Sequence, residues 1–401
     1  MIGNVVEKYE VIQKIGEGGM ATVYRGRHLT LGREVAIKVL HPHLSASERN
    51  RQRFAREARA IEHLEHDNIL KIFDYSGTDA DDCYIVTEFI DGITLQELLN
   101  DRIRFPSEVA VQIGIKLAKA LEYAHELGII HRDLKLENVM IRRDGTLKLM
   151  DFGIARFLDE VNLTITGALV GSPAYMSPEQ AMERVLDSRS DLFSLGTLLF
   201  HIVTGQLPFT GANPSIVLRN VIEARRPGVQ ELAPDISAHL ADLIEQLLQT
   251  DPDDRPASAM EVVHRLTECL EEVDINNDER FDVRRWLHDP QAYQEQLNNM
   301  LAVRLLETGK GRLENHDHLG ALRMFNRLLS VDENNEEVLS LIRGMHGMAG
   351  ETRPRWKILA SGVAILAMVV GLSWVFWPHN AGIQSTIAND DALGADIAAQ
   401  R

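Results

Sequence analysis

Cysteine is scarce in this sequence: Cys83 and Cys269 are the only two in 401 residues. They stand far apart and outside any metal-ligand spacing, so neither a disulfide framework nor a zinc cluster is available, and a reducing compartment fits. Basic residues are outnumbered as well, 42 Lys and Arg against 59 Asp and Glu, for a formal charge of −17. Nucleic acid is therefore not an expected partner, because its binding depends on clustered Lys and Arg that neutralise phosphates. The first ten residues, MIGNVVEKYE, carry acids and no apolar run, so no secretory leader is expected. What remains, 45% apolar and 25% charged, is ordinary globular usage over a length suited to two or three domains.

The first ~270 residues change character part-way. Strand-like runs occupy Tyr9 to Ile15, Thr22 to Arg27, Glu34 to Leu40, Ile69 to Tyr75 and Cys83 to Glu88, with one helical run from Glu48 to Leu64 among them. After Thr94 helical patterns take over. Ser107 is placed to cap a helix whose apolar residues Ile113, Leu117, Leu121 and Ala124 keep helical spacing until Gly128 stops it. Residues 271–291 are acidic and polar and read as a linker. A helical region follows at 292–347, in which Gly309, Ala321 and Phe325 match one tetratricopeptide-like hairpin, with Glu333 where the repeat has proline.

From Ile358 to Trp377 no residue is charged, a run of about 30 Å as a helix, the thickness of a bilayer's hydrocarbon core. Trp356 stands at one end and Trp374 and Trp377 at the other. Arg353, Arg355 and Lys357 precede this expected transmembrane helix, so residues 1–357 are expected in the cytoplasm, with the chain single-pass in an inner or plasma membrane and 378–401 a short extracytoplasmic tail. Ala360, Ala364, Ala367 and Gly371 form a stripe of small residues through which two copies would pair as a homodimer. Any input signal would then enter through a partner protein on the 292–347 region or through clustering in the membrane.

The chemistry is concentrated in short strings. In GEGGMATVY, Gly16 and Gly18 permit a tight turn whose backbone N–H groups can approach phosphates. VAIK follows at the expected distance and sets Lys38 at the end of an apolar run, on an enclosed strand. Glu57 shares a helix face with Phe54 and Ile61, where a carboxylate needs a partner, and Lys38 is the evident one. HRDLKLEN, His131 to Asn138, comes directly after the Gly128 stop, and DFG follows at Asp151 to Gly153. Two carboxylates and an amide on short loops are what phosphoryl transfer to a hydroxyl requires: one acid for the hydroxyl proton, the other with the amide for a metal.

With these strings in this order, residues 9–270 resemble the eukaryotic-like Ser/Thr protein kinases, especially the bacterial membrane-anchored ones. The resemblance implies an α+β, bilobal protein-kinase fold, with a β-rich N-lobe and a helical C-lobe, ahead of the helical region and the one transmembrane helix. It implies ATP and Mg²⁺, with Mn²⁺ as an alternative, and protein substrates phosphorylated on Ser or Thr. Position by position, Gly16, Gly18, Val23 and Ala36 would enclose the nucleotide, and Lys38, paired to Glu57, would bind its α and β phosphates. Thr87 would be the gatekeeper, and the backbone of Glu88 and Ile90 would bind adenine. Asp133 would be the catalytic base, Lys135 would reach the γ-phosphate, and Asn138 and Asp151 would hold the metal. Glu179 would pair with Arg255, and Asp191 would anchor the catalytic loop.

Arg132, beside the base, would read a phosphate on the activation segment, for which Thr164 and Thr166 are the candidates. Three residues depart from the pattern: Ala21 for the third glycine, Ser172 for a usual Thr, and Ser177 for Ala in SPE, the last expected to be nearly silent. A pseudokinase-like scaffold that binds partners without catalysis is the alternative; it would be free to have lost one of Lys38, Glu57, Asp133, Asn138 or Asp151, and all are present.

Overall fold

The structure, a computed structural model, describes residues 2–19, 21–77, 83–101, 104–152, 173–276 and 278–348, with the side chains at 49, 53, 56, 57, 60 and 346–348 outside that set. Strands β1 (Val5–Val6), β2 (Tyr9–Glu17), β3 (Ala21–His28), β4 (Glu34–Leu40), β5 (Ile72–Tyr75) and β6 (Tyr84–Glu88) form one antiparallel sheet in the order β1-β2-β3-β4-β6-β5. Alternation along β4 decides its two faces. Val35, Ile37 and Val39 are buried in a cluster with Tyr9, Val11, Tyr84 and Val86, which leaves Ala36 and Lys38 on the opposite face. Val23 lies directly across from Lys38, and Thr87 across from Ala36, so the register gathers these side chains on that second face. Helices α1 (Pro42–Ser45) and α2 (Glu48–Glu62) follow β4.

The second lobe begins with β7 (Gly92–Thr94), which pairs with the hairpin of β8 (Val139–Arg142) and β9 (Leu147–Leu149) in the order β7-β8-β9. Around it stand α3 (Leu95–Asn100), α4 (Ser107–Glu126), α5 (Pro178–Ala181), α6 (Arg189–Thr204), α7 (Pro214–Ile222), α8 (Val229–Leu232), α9 (Ala238–Leu247) and α10 (Ala259–Glu271). α6 is buried on nearly every side, as its sequence FSLGTLLF allows. α4 approaches α6 and α10 closely at Gly114, where a Cβ would stand 2.9 Å from Leu266 and 3.1 Å from Leu199. Ser107 is not the cap expected of it: Pro106 takes that position, and the Ser107 hydroxyl donates to Glu108 instead. Gly128, at φ +74°, ends the helix in the left-handed conformation that glycine adopts without cost.

Beyond α10 the chain continues in α11 (Val283–His288), α12 (Pro290–Glu314), α13 (His318–Val331) and α14 (Glu336–Met348). α12 and α13 form a hairpin in which Gly309 makes room for the buried Phe325, since a Cβ at 309 would collide with that ring; Ala321 is buried beside it. Where a linker was expected at 271–291, Phe281, Val283 and Trp286 are buried, and the Trp286 ring lies 4.6 Å from Phe105. Residues Met1–Ile342 make one unit by their contacts, and Arg343–Arg401 a second, of which the end of α14 is described.

One part of the expected fold class is corrected. Among the described residues no helix is long and apolar enough to cross a membrane. α12 has the length at 25 residues, but charged side chains interrupt it throughout. The fold class is therefore the bilobal arrangement with its helical region, and single-pass membrane localisation is withdrawn. The run at 358–377, its stripe of small residues and the tail 378–401 lie outside the described residues.

Candidate active site

Gly16 lies near the end of β2, opposite Val23, and Gly18 lies in the turn that leads to β3. Neither is demanded by protein packing: a Cβ at 16 would make ordinary 3.8 Å contact with Val23, and one at 18 would lie 3.9 Å from the Ala21 carbonyl. Their lack of side chains instead keeps the backbone open on the face shared by Val23, Ala36 and Lys38. The Gly18 carbonyl also lies 3.0 Å from His41 Nε2, a contact the sequence did not announce. At the far edge of this face Thr87 is buried, and its hydroxyl donates to the Glu88 carbonyl at 3.1 Å. The Glu88 N–H is committed to the Lys71 carbonyl at 2.9 Å, so a ligand at this backbone position would meet the second lone pair of the Glu88 carbonyl. The Glu88 carboxylate is fixed by Lys148 at 2.8 Å and Arg142 at 3.1 Å, while Ile90 is buried just beyond.

Below the cleft the loop after Gly128 is held by a single carboxylate. Asp191, on α6 and buried, accepts the backbone N–H of His131 and of Arg132, each at 2.8 Å, and meets His125 Nε2 at 2.8 Å. A buried carboxylate is costly unless its lone pairs are filled, and here three donors fill them. Arg132 sits at φ +69°, a left-handed strain that these bonds and the Gln180 side-chain amide, which donates to the Arg132 carbonyl at 2.8 Å, hold in place. Asp133 then receives Lys135 Nζ at 2.7 Å on Oδ2 and Asn138 Nδ2 at 2.9 Å on the same oxygen. With its nitrogen so engaged, Asn138 keeps its amide oxygen for another partner.

The fully buried His131 ring donates from Nε2 to the Met150 carbonyl at 2.8 Å and packs 4.5 Å from the Phe152 ring, tying the loop to Asp151. Asp151 is also left-handed, at φ +58°, and its Oδ1 accepts Lys38 Nζ at 2.7 Å. Burial disfavours the charged form of this carboxylate, but the charge and hydrogen bond of Lys38, helped by His131 and Lys135, outweigh it and hold Asp151 below the usual carboxylate range. It is therefore anionic at neutral pH. Asp151 and the Asn138 amide oxygen are hard oxygen donors of the kind magnesium takes, and two lysines stand ready for anionic oxygens; the residues present fit a metal–triphosphate.

Lys38, Asp133, Lys135, Asn138 and Asp151 are thus brought together. Glu57 lies on α2 with its side chain outside the described set, and Thr164, Thr166 and Ser172 lie outside the described residues. Glu179 and Arg255 form a bidentate pair at 2.8 and 2.9 Å, which Ser190 joins at 2.6 Å. Ser177 is not silent. It caps α5 in a capping box with Gln180, the residue that holds the Arg132 carbonyl, and such caps contribute about 1 kcal/mol. The S-x-x-Q spacing was the available signal.

The protein kinase domain family matches residues 9–266. A probable serine/threonine-protein kinase of Clostridium perfringens is 39% identical over 276 residues, covering 69% of this chain and 40% of that one. The probable serine/threonine-protein kinase PknB of Lactococcus lactis is 37% identical, over 65% and 42% of the two chains. The chain thus spans about two-fifths of the length of these curated relatives. Among solved structures, the PknI kinase domain of Mycobacterium tuberculosis superposes with a TM-score of 0.55 at 27% identity, covering 67% of this chain and 98% of that one. With the motifs, their geometry and these likenesses in agreement, the chain belongs to the protein kinase family.

Proposed function

We propose that this protein transfers the γ-phosphoryl group of ATP to serine and threonine hydroxyls of proteins, with residues 9–270 as its catalytic domain, and that it phosphorylates its own activation segment. The observation that carries the reading is the Asp133–Lys135–Asn138 cluster set beside the Lys38–Asp151 pair. In the reaction the bond from the γ-phosphorus to the β-phosphate oxygen breaks, a substrate oxygen takes the phosphoryl group, ADP leaves, and Asp133 orients the hydroxyl and accepts its proton. Lys135 offsets charge on the γ-phosphate. Lys38, with Glu57 as its proposed partner, binds the α and β phosphates, while Glu88 and Ile90 bind adenine through their backbone. Asn138 and Asp151 hold Mg²⁺, which when bound neutralises phosphate charge. Protein substrates are the partners this reading requires.

Asp151→Asn removes one anionic oxygen from that pair. The metal concentration for half-maximal transfer is expected to rise at least tenfold, read by titrating Mg²⁺ at fixed ATP. An unchanged metal dependence would exclude Asp151 as a ligand.

A second element of the reading concerns activation. Arg132 Nε is buried and has no hydrogen-bond partner among the described residues, a position suited to an anion supplied from elsewhere. Phosphate on Thr164 or Thr166 is the proposed source. Mass spectrometry of the autophosphorylated protein should find one or both modified, and the Thr164→Ala/Thr166→Ala variant should lose about tenfold or more in transfer to other proteins. Both sites unmodified in an active preparation, with the double variant as fast as the parent, would remove this mechanism.

A further inference from the structure

Residues 278–331 lie beyond the stretch 9–266 that matches the kinase family, yet they reach α4 through Arg327 and Phe281. Glu108, Gln112 and Lys116 are spaced four apart and so line one stripe of that helix. A polar stripe of this kind would ordinarily face water, but Glu108 meets Arg327 of α13 in an ion pair whose side chains are each 5% exposed. Arg327 also donates to the Asp235 carbonyl at 3.1 Å and to the Ser107 hydroxyl at 3.4 Å. One turn on, the Gln112 amide donates to the Phe281 carbonyl, which also receives the Tyr293 hydroxyl at 3.0 Å. Another turn on, Lys116 reaches the Gly145 carbonyl at 3.4 Å.

Gly145 is the point at which this seam meets the active site. It forms the turn of the β8–β9 hairpin, at φ +83°, and a Cβ there would lie 2.8 Å from Arg284 Cβ and 3.1 Å from its Cα, so the start of α11 rests directly on the hairpin turn. The other end of the same hairpin carries the two residues proposed to hold the metal: Asn138 immediately precedes β8, and Asp151 follows β9 by two residues. The links run through strands of four and three residues.

We infer that residues 278–331 are a brace on the catalytic lobe: α11 and α13 grip α4 and the β8–β9 turn, with the Arg327–Glu108 pair as the latch, and so hold Asn138 and Asp151 at their working separation. The inference rests on the kinase reading for its catalytic part alone. A latch made from buried, matched charges has a particular signature, because loss of either partner strands the other in a dry site, whereas replacing both by apolar groups relieves the penalty.

The full-length protein is therefore compared with Glu108→Leu, Arg327→Met and the two together, none of which touches a residue placed in the catalytic machinery. Each single variant is expected to melt about 5 °C or more below the parent and the double variant to recover most of that loss. At a temperature well below every midpoint, the singles are expected to need at least threefold more Mg²⁺ for half-maximal transfer, with the double again close to the parent. Additive midpoint losses, or singles as stable as the parent, would overturn the latch. Lowered midpoints with an unaltered Mg²⁺ dependence would overturn the brace's hold on the metal residues. Should the parent show no phosphoryl transfer, the proposed function fails, while the melting cycle still decides the latch.

Discussion

Asp133→Asn is expected to bind ATP within about twofold of the parent and to transfer phosphate some 10²- to 10⁴-fold more slowly, the range that a positioned general base contributes. The substitution keeps the shape of the side chain, and the contact with Asn138 Nδ2 can persist through the new amide oxygen. It removes the charge that draws Lys135 to 2.7 Å and the basic oxygen that would take the hydroxyl proton. Lys38 and Asp151, 2.7 Å from one another, are untouched, so nucleotide affinity has no reason to fall far. Isothermal titration with ATP and Mg²⁺, beside a labelled-ATP transfer assay, separates the two quantities. Transfer at the parental rate would end the assignment of Asp133, and with it the loop chemistry proposed here.

Arg255→Met should be the most destabilising single change of those considered. Glu179 is 6% exposed and Arg255 fully buried, and removing the guanidinium leaves the carboxylate with Ser190 as its remaining side-chain donor. Breaking a buried pair from one side costs roughly 3–5 kcal/mol, which for a chain of this size lowers the thermal midpoint by about 5–10 °C. The same pair sets an acid limit. Burial would raise the Glu179 pKa, but hydrogen bonds from Arg255 and Ser190 and the charge of Arg255 overcome it and hold the group at about 2, against 4.5 ordinarily. A depressed folded pKa means that the stabilisation is fully present above about 4.5 and is lost as pH falls towards about 2; the shift is worth roughly 3 kcal/mol. Chemical denaturation from pH 6 to pH 2.5 should show the parent weakening over that window and Glu179→Gln weakening much less. Parallel pH profiles would show that other carboxylates govern acid unfolding.

Much of the fold was legible because strands and loops of this lobe are written locally. VAIK placed Lys38 on an enclosed strand, and Gly128 gave the helix stop. HRDLKLEN and DFG named the residues of the cleft before any geometry was known. What was hidden depends on pairings across long sequence separations. Nothing near His131 shows that its ring will reach the Met150 carbonyl, and the Glu88 carboxylate takes its partners from Arg142 and Lys148, more than fifty residues on. The stretch 271–291 looked like a linker because its acids are plentiful, yet Phe281, Val283 and Trp286 recur among them at intervals that bury one side. Glu108, Gln112 and Lys116 carry no local signal at all: polar residues at helical spacing ordinarily face water, and nothing nearby in the sequence distinguishes water from Arg327 as the partner.

Asp191 has a consequence for how the catalytic loop can open. The N–H groups of His131 and Arg132 end on a carboxylate that belongs to the most enclosed helix of the lobe, and the same carboxylate receives His125 from the last turn of α4. Freeing the loop thus exposes an anion in the middle of the core, a cost on the scale of separating α4 from α6 and far above that of fraying a surface turn. The segment is irregular in shape but shares the cooperative unit of the two helices beneath it. Opening of the loop is therefore expected to be coupled to opening of the core, and the strained backbone at Arg132 is held by the same bonds.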